Sequence, residues 1–492
     1  MSNCSLDRFI EFGIAIHIVA FVFLVRKEWN AKFFDVFNDF RLNIRAVLNN
    51  AFRVSDSKLS QSHIINWFAL NWSYIFRDNT VHNHLFGKLF GLRGKNVTLF
   101  LFSLFFYAWG EPKWIFVMLL TVTVNYFCGL LIDRSESKAK RTAAMVGGVA
   151  LSLGFLVYFK YFGFFSDIVT GLLGVENDFL KPVLPIGISF YTFQVLTYTV
   201  DVYRGKVSVQ KSYGKLLMYV SFFPQLIAGP IIKYKDLGDQ INERTCCADK
   251  FASGVQIFMV GLAKKLLIAD IIGTTFTAVT ALPLDQVTTL TAWIGALAYT
   301  MMLYFDFSGY SDMAIGIAQM CGFTFGKNFD YPYLAVSITD FWRRWHISLG
   351  AWFRDYIYIP LGGNRGGTSK ALRNILIVWF CTGFWHGANF NFIFWGLFFF
   401  IILVIEKTFL LKFLEKSKVI SRIYVIVLLI LSWTLFAITD LPTLGAYFVR
   451  MFDFTKGIDF LYYLRNYGVT LILCVVFSTP LLKNLYDKYI VK

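Results

Sequence analysis

Hydrophobic runs long enough to cross a lipid bilayer recur along this chain of 492 residues. The runs hold roughly 17 to 25 residues, the length that a helix needs to cross about 30 Å of hydrocarbon. They are continuous and do not alternate with polar residues, which disfavours a membrane β-barrel. The composition agrees, because 57% of the residues are hydrophobic and only 16% are charged. We therefore predict an all-α polytopic membrane protein with roughly 11 to 13 transmembrane or re-entrant helices.

The formal net charge of +16 comes from basic residues that lie mostly in the loops between the apolar runs. Loops rich in Lys and Arg are typical of the cytoplasmic side of a membrane protein. The basic segments 26–95 and 133–141 are separated by two predicted spans, so we expect both on that side. The lipid bilayer is the expected surroundings of the chain. A nucleic-acid role, which this charge would suggest in a soluble protein, is not expected.

The chain divides into three predicted parts. Residues 1–25 hold a first span that is retained, because polar residues interrupt its apolar run and no small-residue cleavage site follows. Residues 26–96 form a basic, polar insertion at the membrane surface, and residues 97–492 form the membrane core. The seven cysteines show no C-x-x-C spacing, so neither a disulfide framework nor a metal site is expected.

Several apolar runs of the core are interrupted. Lys160 divides the run from Ala143 to Leu173 into two segments. Two prolines and a glycine within residues 216–232 predict a broken or re-entrant helix, whose backbone must be buried in protein or line a wet cavity. The pair Lys264-Lys265 is expected to end a shorter span, or to extend its ammonium groups toward the membrane surface.

Three polar residues of these runs are candidate substrate contacts. Tyr191 lies where helical spacing points it toward a polar interior, although a hydrogen bond between helices would explain it equally well. Gln225 lies in the broken segment. Asp306 lies in hydrophobic surroundings and is expected to pair with Arg343 or Arg344, either as a structural ion pair or with a direct part in catalysis.

Two histidines, several arginines and a band of tryptophans lie between residues 340 and 389. Ionisable groups at membrane depth are costly, so they are functional candidates. His386 ends an apolar run, where a neutral imidazole would be ready to accept a proton from an acceptor hydroxyl. A histidine that is only hydrogen-bonded in the core is the alternative. Asn389, or a backbone amide near Gly387, would help to stabilise an oxyanion.

Other common catalytic patterns are absent from the sequence. It has no G-x-S-x-G elbow, no phosphate-binding P-loop and no H-E-x-x-H motif. A covalent serine mechanism, an ATPase and a zinc protease therefore have no support. Direct transfer between two bound substrates fits the residues better.

Five segments, in their order along the chain, resemble motifs of the membrane-bound O-acyltransferase family. The resemblance is closest to its alginate O-acetyltransferase branch and the peptidoglycan O-acetylating relatives, and it extends from about residue 97 to the C-terminus. The segments are 184–191 (LPIGISFY), 223–230 (FPQLIAGP), 304–312 (YFDFSGYSD), 340–355 and 384–389 (FWHGAN).

The resemblance implies a helical bundle around a central funnel or tunnel in the cytoplasmic (inner) membrane. A cytoplasmic acyl donor, expected to be acetyl-CoA, would enter from one side as a substrate, with no cofactor bound. The acyl group would pass to hydroxyls of an extracytoplasmic polysaccharide, directly or through an extracytoplasmic acyltransferase partner protein. The basic segment 26–95 has no counterpart in the family.

The family also implies roles for residues of the central stretch. His386, in the Trp-His-Gly motif, would be the catalytic histidine, and His346 a second essential one. Arg343 and Arg344 would steer an anionic donor, or would be ordinary charges at the cytoplasmic interface. Two other classes of function stay open: a transporter or exporter component for a surface glycan or a lipid-linked precursor, and a scaffold that recruits a soluble acyltransferase.

Overall fold

The computed structural model describes residues 91–175 and 181–489, so the predicted first span and nearly all of the insertion at 26–96 lie outside the described residues. Every regular element in those two ranges is helical, which confirms the predicted fold class. The elements are α1 (91–110), α2 (Ile115–Arg134), α3 (Lys138–Leu173), α4 (Ile188–Tyr203), α5 (Tyr213–Ser221), α6 (Phe223–Leu226), α7 (Tyr234–Asn242), α8 (Ala248–Ala263), α9 (Asp270–Thr280), α10 (Thr289–Met320), α11 (Ile338–Arg344), α12 (Ile347–Phe353), α13 (Thr368–His386), α14 (Phe390–Ile405), α15 (Leu411–Leu414), α16 (Lys418–Ala437), α17 (Leu441–Phe452), α18 (Phe460–Phe477) and α19 (Leu481–Tyr489), with 3-10 turns at Leu284–Gln286 and Pro332–Leu334 and π-turns at Lys264–Ala269, Arg354–Tyr358 and Glu406–Leu410.

Five of the described helices, α2, α3, α10, α16 and α18, are long and apolar enough to cross a membrane. Large apolar side chains on these helices are more than half exposed, among them Phe116, Phe127, Leu172 and Val469. Apolar surface of this extent is stable against lipid and not against water. The protein is therefore an all-α polytopic membrane protein. The count of roughly 11 to 13 spans also includes shorter helices and stays a prediction.

Contacts between the connecting segments indicate that many helix ends lie on two opposite faces of the helical bundle. On one face, Arg204 donates to the backbone oxygen of Asp355 at 3.2 Å, and Lys407 donates to Asn364 at 3.3 Å. We call this side the basic face, because the segments that meet there are rich in Lys and Arg. They include residues 133–141, 204–215, 354–373 and 407–422.

The other ends of the membrane helices meet on the opposite face. There Thr289, at the start of α10, donates its backbone N–H to Thr455 at 3.2 Å. Thr288 donates to Asp459 at 2.8 Å. The far end of α3 lies on this side as well, since α3 begins within the basic segment 133–141. The chain thus crosses repeatedly between a basic face and an opposite face with fewer basic residues.

Two apolar clusters form most of the core, and α4 links the first of them to a smaller cluster around the central stretch. One cluster is built mainly from α1, α2 and α4–α7, and the other mainly from α9–α11, α14 and α16. Phe193 of α4 stacks on Trp352 of α12, with ring centroids 3.8 Å apart, and lies 5.6 Å from Trp385 of α13. These contacts hold the central stretch against α4.

The predicted break between residues 216 and 232 is confirmed, whereas the predicted interruption at Lys160 is wrong. Helix α5 ends at Ser221, α6 has four residues, and residues 227–233 are irregular. Lys160 does not divide its run, because α3 continues through it for 36 residues. Its ammonium donates to a backbone carbonyl of α13, so it has a polar partner inside the protein.

At Lys264-Lys265 the regular helix α8 ends, as predicted, with Ala263 its last residue. The chain passes through a π-turn from α8 into α9. Lys264 pairs with Asp312 at 2.6 Å, and Lys265 pairs with Asp270 at 2.7 Å and with Asp306 at 2.6 Å. Carboxylates of the protein, in place of water, compensate the charges of these ammonium groups. The two lysine side chains therefore need not extend to the membrane surface.

We expect Gly261→Ala to destabilise the bundle, because α8 and α10 are in backbone contact at this point. A Cβ atom on Gly261 would lie 2.5 Å from the carbonyl oxygen of Gly309. Separating the helices would cost about 1–3 kcal/mol of folding free energy. Thermal unfolding of the detergent-solubilised protein measures the effect. Gly147→Ala in α3 is the control, since a Cβ there meets nothing within 4 Å; equal losses in the two variants would contradict the packing explanation.

Candidate active site

His386 is the last residue of α13, at the end away from the basic face. The helix stops there because Gly387 is extended, and a Cβ at Gly387 would collide with the ring of Phe392. Asn389 then caps α14 by accepting a hydrogen bond from the backbone of Asn391 at 3.4 Å. The Trp-His-Gly motif is therefore a tight turn between two helices, with His386 at its beginning.

Aromatic rings surround the imidazole of His386. Their centroids lie 4.9 Å away for Trp385, 5.1 Å for Trp395 and 5.1 Å for Phe436, all near edge-to-face. The residue is half-buried, and none of the described residues forms a hydrogen bond with its ring. Apolar surroundings favour the neutral imidazole, which keeps a lone pair for a substrate proton. A histidine that is merely hydrogen-bonded in the core does not fit this environment.

A cavity of about 430 Å³ lies beside the turn that follows His386. Its wall includes Lys160 and Phe164 of α3, Lys181, and Asn389 and Phe390 at the start of α14. All of these elements lie toward the opposite face. The cavity is large enough for a small substrate group. Its wall includes Ala388, which is two residues after His386 in the chain.

His346 joins α11 to α12 in a left-handed backbone conformation, with φ 44° and ψ 56°. This conformation is uncommon for residues other than glycine and asparagine and is often found at functional sites. Its side chain is buried, at 3% exposure. The ring lies edge-on to Phe307 of α10, with centroids 4.7 Å apart. A strained, buried histidine in a membrane protein is a candidate for function, as the sequence predicts.

Hydrogen bonds around Asn328 fix which nitrogen of His346 carries the proton. The side-chain oxygen of Asn328 accepts from the backbone N–H of Ser348 at 3.2 Å, and its amide nitrogen donates to Ser311 at 3.0 Å. That oxygen also lies 3.2 Å from Nδ1 of His346. Because an amide oxygen only accepts, Nδ1 is the donor and Nε2 keeps a lone pair. Nε2 is buried and has no partner among the described residues.

The structure brings the two predicted histidines toward one centre. Trp385 lies between His386 and Lys160, since its ring centroid is 4.9 Å from that of His386 and 5.5 Å from Nζ of Lys160. Trp395 bridges the elements that carry the two histidines, since its ring lies 5.1 Å from His386 and 5.7 Å from Trp342 of α11. Two imidazoles, each with a free lone pair, are thus held in one aromatic region of the protein interior.

The predicted arginines differ in their surroundings. Arg343 is exposed at the end of α11 and forms no ion pair with a described residue. Arg344 pairs with Asp340 at 3.0 Å. The predicted pairing of Asp306 with either arginine is wrong, because Asp306 faces the π-turn after α8 and pairs with Lys265. A structural ion pair therefore accounts for Asp306.

Tyr191 and Gln225 lie away from the cavity wall. Tyr191 is fully buried in the core cluster that contains α4. Gln225 is also fully buried, and its amide donates to the backbone oxygen of Tyr219 at 2.7 Å, where α5 breaks. These contacts favour structural roles for both residues, and contact with a substrate stays a prediction.

The carboxylates near the central stretch are paired. Partial burial raises the pKa of Asp355, but hydrogen bonds and charges from Lys233 and Arg354 outweigh it, so the pKa lies below its ordinary value. Asp355 is therefore a charged partner of these cations and not a proton donor near neutral pH. In residues 91–175 and 181–489, no three His, Cys, Asp or Glu side chains are arranged to hold a metal ion.

Sequence reasoning missed the residue that fixes the start of α11. Glu406 is fully buried and accepts hydrogen bonds from the backbone of Ile338 at 2.6 Å and from the backbone and hydroxyl of Thr339 at 2.9 and 2.7 Å. It supplies acceptors and negative charge to the N-terminus of the helix that carries Arg343. In the sequence it lies between an apolar run and a basic loop, where it resembles a loop charge.

The fold and the site define a polytopic helical membrane protein with a histidine-containing site inside the bundle. The model of the membrane-bound O-acyltransferase family matches residues 191–440. The chain is 42% identical over 372 residues to a probable alginate O-acetylase of Pseudomonas syringae, which covers 74% of this chain and 71% of that protein.

Two further relatives carry other names. A peptidoglycan O-acetyltransferase of Helicobacter pylori is 36% identical over 357 residues, or 66% of each chain. A teichoic acid D-alanyltransferase of Bacillus subtilis is 30% identical over 226 residues, or 43% of this chain and 56% of that protein. The chain belongs to the membrane-bound O-acyltransferase family, and it is an O-acyltransferase.

Proposed function

We propose that this protein passes an acetyl group from cytoplasmic acetyl-CoA to a hydroxyl on the other side of the membrane, with His386 as the general base. The observation that carries the proposal is the position of His386. His386 ends α13 without a described hydrogen-bond partner, and residues 388–390, shortly after it, line a cavity near the face opposite the basic loops. A base in that place reaches a hydroxyl that enters from the opposite face.

The orientation follows from the distribution of charge. Loops rich in Lys and Arg stay on the cytoplasmic side of a membrane protein. The basic face is therefore cytoplasmic, and the cavity near His386 is extracytoplasmic. In a bacterial cell, a multi-pass protein with this orientation lies in the inner membrane, where it has access to acetyl-CoA on one side and to surface polysaccharides on the other.

The transfer step needs a base and a site for negative charge. Neutral His386 takes the proton of the acceptor hydroxyl while the oxygen attacks the thioester carbonyl. The tetrahedral oxyanion then collapses, the carbon–sulfur bond breaks, and the CoA thiolate takes the proton from the imidazolium. The first N–H groups of α14 and the amide of Asn389 are suited to stabilise the oxyanion, because a helix N-terminus attracts negative charge.

The acceptor in this proposal is a polysaccharide hydroxyl, reached directly or through an extracytoplasmic acyltransferase partner. The relatives named for alginate and peptidoglycan O-acetylation favour an extracytoplasmic glycan as the final acceptor. Membership in a family of acyltransferases favours the enzyme over an exporter or a scaffold.

Transfer across the membrane is testable in inverted vesicles, whose cytoplasmic face is outside. Radiolabelled acetyl-CoA is added to vesicles from cells with and without this protein, and label is measured in base-labile esters inside the vesicles. We expect ester label only where the protein is present. Equal label in both preparations, or label that never reaches the lumen, would contradict the proposal.

Arg343→Gln is expected to raise the KM for acetyl-CoA about tenfold with little change in kcat, because loss of a charged hydrogen bond in both ground and transition states weakens binding uniformly. Arg343 is exposed near the basic face and has no described ion-pair partner. The vesicle assay at varied donor concentration measures both constants. Arg365→Gln, an exposed arginine in the same region, is the control. An unchanged KM would leave Arg343 without a role in donor binding.

A further inference from the structure

Helix α13 ends without a backbone cap at the residue proposed as the base. Its C-cap, Gly387, is extended, and no backbone N–H there returns to the last turn. The last four carbonyl groups of a helix have no partner within the helix and must find one elsewhere when they are buried. The partners of these carbonyl groups therefore determine how firmly the end of α13, and with it His386, is held.

Two consecutive residues of α3 supply partners for two consecutive carbonyls of α13. Lys160 donates from Nζ to the carbonyl oxygen of Trp385, the residue directly before His386. Tyr161 donates to the carbonyl oxygen of Phe384 at 2.5 Å, and the Tyr161 and Phe384 rings stack with centroids 4.0 Å apart. We call these two residues the α3 clamp.

Lys160 is an unusual residue for the middle of a membrane helix. An ammonium group at bilayer depth is costly, yet no described carboxylate lies within ion-pair distance of Lys160. Its Nζ lies 5.5 Å from the ring centroid of Trp385 and 3.5 Å from the hydroxyl of Ser189, at the start of α4. The same side chain forms part of the cavity wall. Packing alone would be satisfied by an apolar residue of similar length.

The site at the end of α13 explains the cation. A positive charge at a helix C-terminus is favoured by the helix dipole. Lys160 contacts the last turn of α13, which carries His386, and so connects α3 with α4 and α13.

We propose that Lys160, with Tyr161, is a positioning residue of the acyl-transfer site that holds the carbonyl before His386 and so fixes the imidazole at the end of α13, next to the residues that line the cavity. This inference rests on the proposed role of His386. The α3 clamp touches neither the basic face nor Arg343, so it acts on the chemical step and not on donor binding.

The test uses the inverted-vesicle assay with radiolabelled acetyl-CoA on Lys160→Met, Lys160→Arg and Tyr161→Phe. Lys160→Met keeps the length of the side chain and removes the donor. Lys160→Arg restores donors and charge. Lys483→Met is the matched control, because Lys483 is exposed on α19, pairs with Asp487 at 3.7 Å and lines no part of the cavity. Protein in the vesicles is quantified for each variant.

Lys160→Met is expected to lower kcat on the order of 100-fold, the effect of a small displacement of a catalytic group, with the KM for acetyl-CoA unchanged. Lys160→Arg should recover most of the rate, and Tyr161→Phe should lose about tenfold in kcat. Lys483→Met should match the wild type. If Lys160→Met does not accumulate in the membrane, the rates of Lys160→Arg and Tyr161→Phe test the inference in its place.

The inference is overturned if Lys160→Met, or in its absence Tyr161→Phe, turns over at the wild-type rate. It is overturned equally if Lys160→Arg is as slow as Lys160→Met, since then charge and donors are not what matters. His386→Ala in the same vesicles separates the two proposals. If His386→Ala is inactive while Lys160→Met is normal, only the clamp fails; if His386→Ala is active, the proposed base fails.

Discussion

Replacing His386 by alanine is expected to lower O-acyl transfer by roughly 100- to 10,000-fold, the contribution of a general base. The variant should fold, because none of the described residues depends on a hydrogen bond to this ring and its neighbours are aromatic contacts. Base-labile acetate on the surface glycans of intact cells measures the loss, at equal amounts of protein in the membrane.

His386→Gln distinguishes a base from a residue that only donates or accepts a hydrogen bond. Glutamine keeps polar atoms near the position of the distal ring nitrogen but cannot carry a proton between substrates. We expect it to be as inactive as the alanine variant. Wild-type acetylation in His386→Gln would mean that the ring orients a substrate without taking its proton, and the proposed mechanism would be wrong.

Local patterns predicted the parts of this site that lie close together in sequence. The sequence places His386 at the end of an apolar run, and the structure places it at the end of α13. The broken helix near residue 224 followed from its prolines in the same way. In both places the residues that determine the conformation are neighbours along the chain.

The sequence could not predict which polar residues of distant segments pair with each other. Asp306 was expected to pair with an arginine, yet Lys265 lies opposite it across the α8–α10 contact. Lys160 seemed to interrupt a span because its partner, the carbonyl of Trp385, is 225 residues away. Glu406 caps α11 from 67 and 68 residues away. Hydropathy indicates that a buried charge is costly, but only the packed helices show which partner group compensates that charge.

His346→Asn is expected to give a folded protein that transfers acyl groups at least about 100-fold more slowly. Asparagine tolerates the left-handed conformation at position 346, where φ is 44°, better than most residues do. Its amide nitrogen falls near the position of Nδ1 and keeps the hydrogen bond to Asn328. The variant therefore lacks only the distal part of the ring, including the unpartnered Nε2.

Comparison with His346→Ala separates the structural role of this residue from its chemical role. Alanine loses the bond to Asn328 and is strained in the left-handed conformation by roughly 1–2 kcal/mol, so it should unfold at lower temperature than His346→Asn. Both variants should be inactive, because both lack the lone pair at Nε2. Full activity in His346→Asn would show that Nδ1 and the backbone turn suffice, and the second imidazole would then be a structural residue that holds α11 against α12.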